Sequence, residues 1–260
     1  MNFQQFAKQG YLILRQNYLD TTLESTELER FHQNIVFFHK AMRKFFEQPI
    51  QERLLFKSDQ PKDLRVSGYR CGYWPKSVYQ DKYEGKNFPL EYYHSRNFSS
   101  SEHDNFLIPE NGLEPSWKDS VDELPHGQGY EIAGFIDSHI LKPLLENLII
   151  YLQPNLLPSL ILQVGSTYYR ERVVLNIHRD KGFLQIIVGP ASGLRIQPSN
   201  SANPQPLTLD IGEILIYTGF QFQEYFGGVP ALAKVEPLLH EVIASEDKRM
   251  SIVAAAFLKI

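Results

Sequence analysis

The sequence predicts a mainly β protein with flanking helices, an α+β fold class. Apolar residues at helical spacing are confined to the N-terminal region, residues 1–160, which reads as mostly helical. Short runs rich in β-branched and aromatic residues, set apart by turn residues, fill 161–260. Helices first and strands second argue for a β-barrel or sandwich with helices packed outside it, and against alternating βαβ units. A chain of 260 residues, 43% of them hydrophobic, suits a single domain with a sizeable core.

In chain order, Tyr11-Leu12-Ile13-Leu14 reads as a short buried strand after a polar turn. From Thr21 to Gln48 the pattern is helical, because Phe31, Ile35, Phe38, Met42 and Phe45 recur at steps of three and four. Pro49 ends that helix or opens the next turn. From Lys57 to Phe98 the period fails while aromatics crowd the second half. The stretch Tyr69–Phe98 is expected either to cover the mouth of the barrel or to fill a satellite core. Residues 99–129 read as a polar loop. A second helix is expected over 130–152, kinked or split by Pro143. Beyond Pro158 the expected strands are Ser166–Ile177, Phe183–Val188, Gly193–Gln197, Glu213–Tyr217, Leu239–Ile243 and Met250–Leu258. Gly189-Pro190, Pro198–Pro206 and Gly227-Gly228 read as the turns between them.

Composition narrows the function classes. The formal charge is −4 and no basic run stands out, so no nucleic-acid partner is expected. Cys71 is the only cysteine, which rules out an internal disulfide and fits a reducing compartment. No apolar run approaches the ~20 residues of a membrane span, and Met1-Asn2-Phe3-Gln4-Gln5 lacks a secretory pattern. The expectation is a soluble, cytoplasmic protein; the sequence leaves its oligomeric state open.

Two short motifs carry chemistry. His178 and Asp180 are two residues apart, so a strand continuing through both would put them on one side and turn Arg179 away. His240 follows 62 residues later. Two imidazoles and a carboxylate can fill one face of an iron octahedron and leave open positions for substrate and oxygen. Alone, a His-x-Asp pair is weak, since a histidine at a strand end is more often an ordinary hydrogen-bonded residue. Arg249 and Ser251 form the second pair, also two apart on an apparent strand. Arginine offers a planar fork to a carboxylate and serine adds one hydrogen bond. The bland alternative is a solvent-exposed turn at Lys248-Arg249 before the last strand. His178-Arg179-Asp180 also spells the start of a kinase catalytic loop, but no Gly-rich loop accompanies it.

Taken together, His178-Arg179-Asp180, His240 and Arg249-Met250-Ser251 resemble the iron(II)- and 2-oxoglutarate-dependent oxygenases, in particular the isopenicillin N synthase-like branch. Ile211-Gly212-Glu213-Ile214-Leu215 and Phe6-Ala7-Lys8-Gln9-Gly10-Tyr11 match that branch in style, so the resemblance spans most of the chain. It implies a double-stranded β-helix, or jelly-roll, with N-terminal helices packed on it. It implies Fe(II) on His178, Asp180 and His240, which are then the catalytic residues as well. It further implies 2-oxoglutarate chelated to the iron, with its far carboxylate on Arg249 and Ser251, and O2 as a substrate. Many relatives add a tyrosine to that pocket, and Tyr169 is the nearest match here, with Tyr168 its rival. The implied reaction oxidises a small organic molecule, by default through hydroxylation, and releases succinate and CO2. Desaturation and ring closure are the other outcomes. Two departures bear on the substrate: the aromatic stretch Tyr217–Pro237 before the second histidine, and Glu241 where relatives often carry arginine. The alternatives are an iron enzyme of this fold that uses no 2-oxoglutarate, as in relatives that draw electrons from ascorbate, and a non-catalytic binding or interaction protein on the same barrel.

Overall fold

A computed structural model of the chain describes residues 3–55, 72–75, 90–98, 126–148, 160–170, 173–199, 201–230, 232–244 and 248–258. Helix α1 (Phe3–Gln9) leads through Gly10, at φ 74°, into strand β1 (Tyr11–Leu14). The helix expected to begin at Thr21 is two helices, α2 (Gln16–Thr22) and α3 (Ser25–Glu47). The Thr21 and Thr22 hydroxyls both donate to the Tyr18 carbonyl, a side-chain competition that helps close α2, and Leu23 and Glu24 are extended. α3 buries Leu28, Phe31, Ile35, Phe38, Met42, Phe45 and Phe46 on one face. Its Glu27 lies in the first turn and Lys44 in the last, each matched to the helix dipole. Pro49 then caps the short α4 (Ile50–Leu54).

The second helical region starts at His126, earlier than expected, as α5 (His126–Ile136). It passes through a π-helical turn (Asp137–Leu141) into α6 (Lys142–Leu148). The π turn sits just before Pro143, which has no N–H to continue the ladder and whose ring crowds the preceding turn. The split expected at that proline thus takes the form of a widened turn.

Eleven strands are present among the described residues: β1, β2 (Gly72–Trp74), β3 (Leu90–Phe98), β4 (Leu160–Tyr169), β5 (Val173–His178), β6 (Leu184–Val188), β7 (Ala191–Gln197), β8 (Gln205–Leu209), β9 (Ile214–Thr218), β10 (Leu239–Ala244) and β11 (Arg249–Leu258). They form a seven-stranded sheet of order β1-β9-β6-β11-β4-β3-β2 and a four-stranded sheet of order β5-β10-β7-β8. All pairings are antiparallel, and the two sheets face each other as a jelly-roll with helices outside the larger one. Two expectations need correction. Ser166–Ile177 is not one strand; the chain leaves the large sheet after Tyr169 and re-enters in the small one as β5. The Pro198–Pro206 turn ends early, because β8 begins at Gln205. The described parts of Tyr69–Phe98 are strands of the large sheet, with Tyr73 and Tyr93 against Phe45 of α3 and with Trp74, Leu90 and Tyr92 on the side between the sheets. The rest of that stretch, and the expected loop as far as residue 125, lie outside the described residues.

Strand alternation sorts the large sheet's side chains between two cores. Met250, Ile252, Ala254 and Ala256 of β11 join α1, α3 and α5 in the helix-side core, with Phe6, Phe31 and Phe38. Each fully buried phenylalanine there contributes about 1.5–3 kcal/mol. The other core lies between the sheets and includes Tyr169, Ile187, Leu194, Leu215, Tyr217 and Val242. No helix among the described residues is long and apolar enough to cross a membrane.

Candidate active site

β5 and β10 are neighbours in the small sheet, and their register sets His178 directly opposite His240. The two imidazole centroids are 4.3 Å apart. His178 Nδ1 lies 2.8 Å from the Asn176 carbonyl and His240 Nδ1 3.4 Å from that of Leu238. An N–H at Nδ1 donating to each carbonyl leaves Nε2 with its lone pair, the form a metal needs. Both Nε2 atoms face Asp180, which follows β5. His178 Nε2 is 3.6 Å from Asp180 Oδ1, and His240 Nε2 is 3.5 Å from Asp180 Oδ2. Donors bound ~2.1 Å from one ion, at angles between about 90° and 120°, stand roughly 3.0–3.6 Å apart. Among the described residues this is the one group of three candidate donors that converge, with ligand atoms within 4.8 Å of one another. Arg179 turns away, donating to the Pro237 carbonyl at 3.0 Å. Glu241 also points away and pairs with Arg195 at 2.8 Å.

A helix not foreseen in the sequence, α7 (Phe220–Phe226), braces Asp180. The Phe220 N–H donates to the Asp180 carbonyl at 2.9 Å and the Gln221 N–H to that of Lys181 at 3.2 Å. Gly219 precedes the helix, and a Cβ there would come within 2.1 Å of the Gly182 carbonyl oxygen. Only glycine lets the turn carrying Asp180 pack so closely on the start of α7.

The centre is half-open. The His178 and Asp180 side chains are 33% and 29% exposed, His240 5%. Burial pushes the His240 pKa below its usual value, with His178 adding to the effect and Asp180 opposing it, so its imidazole rests neutral. Tyr217 of β9 is buried beside the triad, and its hydroxyl donates to Asp180 Oδ2 at 2.6 Å while lying 3.5 Å from His240 Nε2. Burial first, and then the Asp180 carboxylate, raises that phenol well above its ordinary pKa, so it stays a donor.

A buried cation lies between the sheets. Arg249 is buried, 8% exposed, so it does not sit on a solvent-exposed turn. Its Nε donates to the Ser192 carbonyl and its Nη1 to Ser251 Oγ at 3.3 Å. Among the described residues no carboxylate reaches salt-bridge distance of it. A guanidinium out of water without a counter-ion is expensive, so an anion placed beside it would be stabilised. Gly193, at φ 69°, lies close by: a Cβ there would stand 3.6 Å from Arg249 Nε and 2.2 Å from the Ile243 carbonyl oxygen. Ser251 Oγ is 2.7 Å from Thr167 Oγ1. Tyr169, opposite Arg249 on β4, has its ring 5.1 Å from the guanidinium carbon. Its hydroxyl has no hydrogen-bond partner among the described residues, and burial, with Arg249 opposing and Asp180 reinforcing, pushes its pKa up to about 12. Tyr168 points the other way and stacks on Phe46, 4.7 Å between centroids, in the helix-side core.

All six expected site residues lie on the two sheets, or just beyond β5 for Asp180, and Tyr169 is close enough to feel the charges of both Arg249 and Asp180. Sequence reasoning missed Tyr217 and Thr167. Thr167 could have been found from strand alternation, two residues before Tyr169. Tyr217 carried no signal, because a tyrosine within Ile214-Leu215-Ile216-Tyr217 reads as core.

No protein-family model matches the chain, and no curated protein matches it in sequence. Solved structures do match in fold. JOX2, in complex with 2OG, Fe and JA, superposes over 99% of this chain and 70% of its own with a TM-score of 0.60 at 15% identity. The dioxygenase for auxin oxidation of rice covers 98% of this chain and 75% of its own, with a TM-score of 0.59 at 14% identity. Dioxygenase for auxin oxidation 1 of Arabidopsis thaliana, as a 2-oxoglutarate complex, covers 99% of this chain and 88% of its own, with a TM-score of 0.58 at 12% identity. The jelly-roll of this chain is thus the fold of 2-oxoglutarate-dependent oxygenases.

Proposed function

We propose that the protein is a non-haem Fe(II)- and 2-oxoglutarate-dependent dioxygenase of the isopenicillin N synthase-like branch. The carrying observation is that three convergent donors, His178, Asp180 and His240, occur with a buried guanidinium, Arg249, that no carboxylate among the described residues pairs with, Tyr169 lying near enough to feel both Arg249 and Asp180. The donor set fits iron, with two neutral imidazoles and one carboxylate leaving positions open. Bound iron would supply oxygen activation, coupling 2-oxoglutarate and O2 to the oxidation of a second molecule with release of succinate and CO2. The chain's own residues orient and shield. His178, Asp180 and His240 would hold the ion. Arg249, with the Ser251 hydroxyl and the free Tyr169 hydroxyl, would hold the far carboxylate of 2-oxoglutarate, and Thr167 fixes the Ser251 rotamer. The apolar walls from Leu215, Val242 and Ile187 exclude water. The second substrate is a small organic molecule, hydroxylated by default, and the enzyme acts in the cytoplasm.

The test is an anaerobic titration of the metal-free protein with Fe(II) and then 2-oxoglutarate. A visible metal-to-ligand charge-transfer band saturating at one equivalent is expected, and His178→Ala and Asp180→Ala should abolish it. Iron binding without the band would replace this reading with an oxidase that uses no 2-oxoglutarate. Failure to bind iron would leave a non-catalytic barrel.

A further inference from the structure

We infer that Tyr217 is a positioning residue for the metal-binding carboxylate, an inference that rests on the iron-site reading above. Its chemical task is to hold Asp180 to a single ligating oxygen. The Tyr217 hydroxyl donates to Asp180 Oδ2 at 2.6 Å, a short bond to an ionised acceptor and therefore among the stronger kinds. The other carboxylate oxygen, Oδ1, faces His178 Nε2 at 3.6 Å and carries no hydrogen bond from the described residues. Both oxygens thus face a histidine, Oδ2 standing 3.5 Å from His240 Nε2, but only Oδ2 is occupied by a fixed donor, which leaves Oδ1 for the ion. The phenol cannot drift. It rises from β9, which is buried along its whole length and hydrogen-bonded on both sides, to β1 and to β6. Its ring lies 5.0 Å from that of His240.

Two further groups hold the main chain at this point, since the Phe220 and Gln221 N–H groups of α7 donate to the Asp180 and Lys181 carbonyls. Asp180 is therefore fixed at its main chain by α7 and at its side chain by Tyr217. A carboxylate held by one oxygen leaves one more coordination position free than a chelating carboxylate does. A centre that must admit two atoms of a keto acid and one of oxygen needs every such position. Outer partners of this kind typically change metal affinity 10- to 100-fold when removed.

Tyr217→Phe removes only the hydroxyl and keeps the ring that fills the core, so the variant should fold, as circular dichroism and the thermal midpoint would establish. Co(II) is the probe, added alone to metal-free protein and followed by its visible ligand-field bands. Wild type should bind one equivalent. In Tyr217→Phe the freed Oδ2 joins Oδ1 on the ion, so coordination number rises and the bands at saturation weaken and shift. Affinity should fall about 10- to 100-fold. Tyr217→Leu, which also lacks the hydroxyl, should give the same spectral change. A variant spectrum identical to wild type at saturation, whatever its affinity, overturns the positioning role while leaving the iron site intact. Wild-type protein that binds neither Co(II) nor Fe(II) overturns the site reading and this inference with it.

Discussion

Arg249 shows how much a single buried side chain can reveal. Among the described residues every hydrogen bond it makes is to a neutral oxygen, the Ser192 carbonyl and the Ser251 hydroxyl, and none satisfies its charge. Its guanidinium is pulled below its normal pKa by burial and supported by the neighbouring Tyr169 and Tyr92 phenols. An incoming carboxylate meets a charge already desolvated and oriented, so the ion pair forms without reorganisation. Arg249→Gln keeps a donor but removes the charge. A hydrogen bond to a charged group is worth about 1.5–3 kcal/mol, so 2-oxoglutarate affinity should fall about 10- to 150-fold. Fe(II) affinity should not change, because Arg249 touches none of the three donors. Calorimetric titration of each ligand separately checks both halves, and 2-oxoglutarate binding within twofold of wild type would exclude Arg249 from the pocket. Arg249 and Ser251 were legible because both lie on β11, where alternation turns a two-residue spacing into a shared face, whereas β5 ends at His178 and the turn after it, not strand alternation, brings Asp180 to the two histidines. Tyr217 was not legible, because its role depends on β9 lying across the barrel from the turn after β5, a non-local contact that no spacing encodes.

At the scale of elements, the junctions decide the architecture. The helix periodicity of α3 and the β-rich run of β11 were readable because a long apolar pattern needs no tertiary context. The switch from β4 to β5 was not, since Ser166 to Ile177 is compatible with a single strand and only pairing partners divide it. α7 was hidden for the same reason: seven residues cannot form a helix unaided, and it exists by packing Phe222 and Phe226 under the sheet. Glu213 illustrates a junction held by charge. Its carboxylate accepts from Arg15 at 2.6 Å and from the Asp210 N–H at 3.0 Å, tying the end of β1 to the β8–β9 turn. Burial alone would raise its pKa, but these hydrogen bonds and the Arg15 charge outweigh it and hold the carboxyl below its usual value. A depressed folded-state pKa gives stability that is present above the unfolded value, near 4.5, and is lost as pH falls through the folded one. Glu213→Gln should therefore be less stable than wild type at neutral pH, and the difference should shrink below about pH 4. Urea unfolding across pH 3–7 measures it. A gap that stays constant over that range would mean the carboxylate's charge is not what matters there.

For the whole molecule, the question is how a helical layer and a barrel stay registered while the barrel interior is reserved for chemistry. The large sheet separates the two tasks, with a packed core on its helix side and the His178, Asp180 and His240 cluster and Arg249 on the other. Joining the layers on the helix side is a buried charge cluster. Arg53 of α4, only 5% exposed at its side chain, pairs with Glu91 of β3, 8% exposed. Arg170 at the end of β4 pairs with the other Glu91 oxygen and donates to the Phe46 carbonyl at the end of α3. Tyr73 completes the cluster, accepting from Arg53 at 2.6 Å and donating to Glu91. Among the described residues Glu91 is the sole carboxylate in the cluster, bridging two arginines. Removing it leaves Arg53 buried without a counter-ion, which typically destabilises by about 3–5 kcal/mol. Each kcal/mol shifts the midpoint of a chain this long by about 2–4 °C, so Glu91→Ala should melt about 10 °C lower. Because Glu91 opposes Tyr168 and not Tyr169, the lesion lies on the face away from the metal donors. Below its melting point the variant should still develop the charge-transfer band with Fe(II) and 2-oxoglutarate, at wild-type saturation. Loss of the band in folded Glu91→Ala would show that the two faces of the sheet are coupled, and that the helical layer helps set the geometry of the site as well as supporting it.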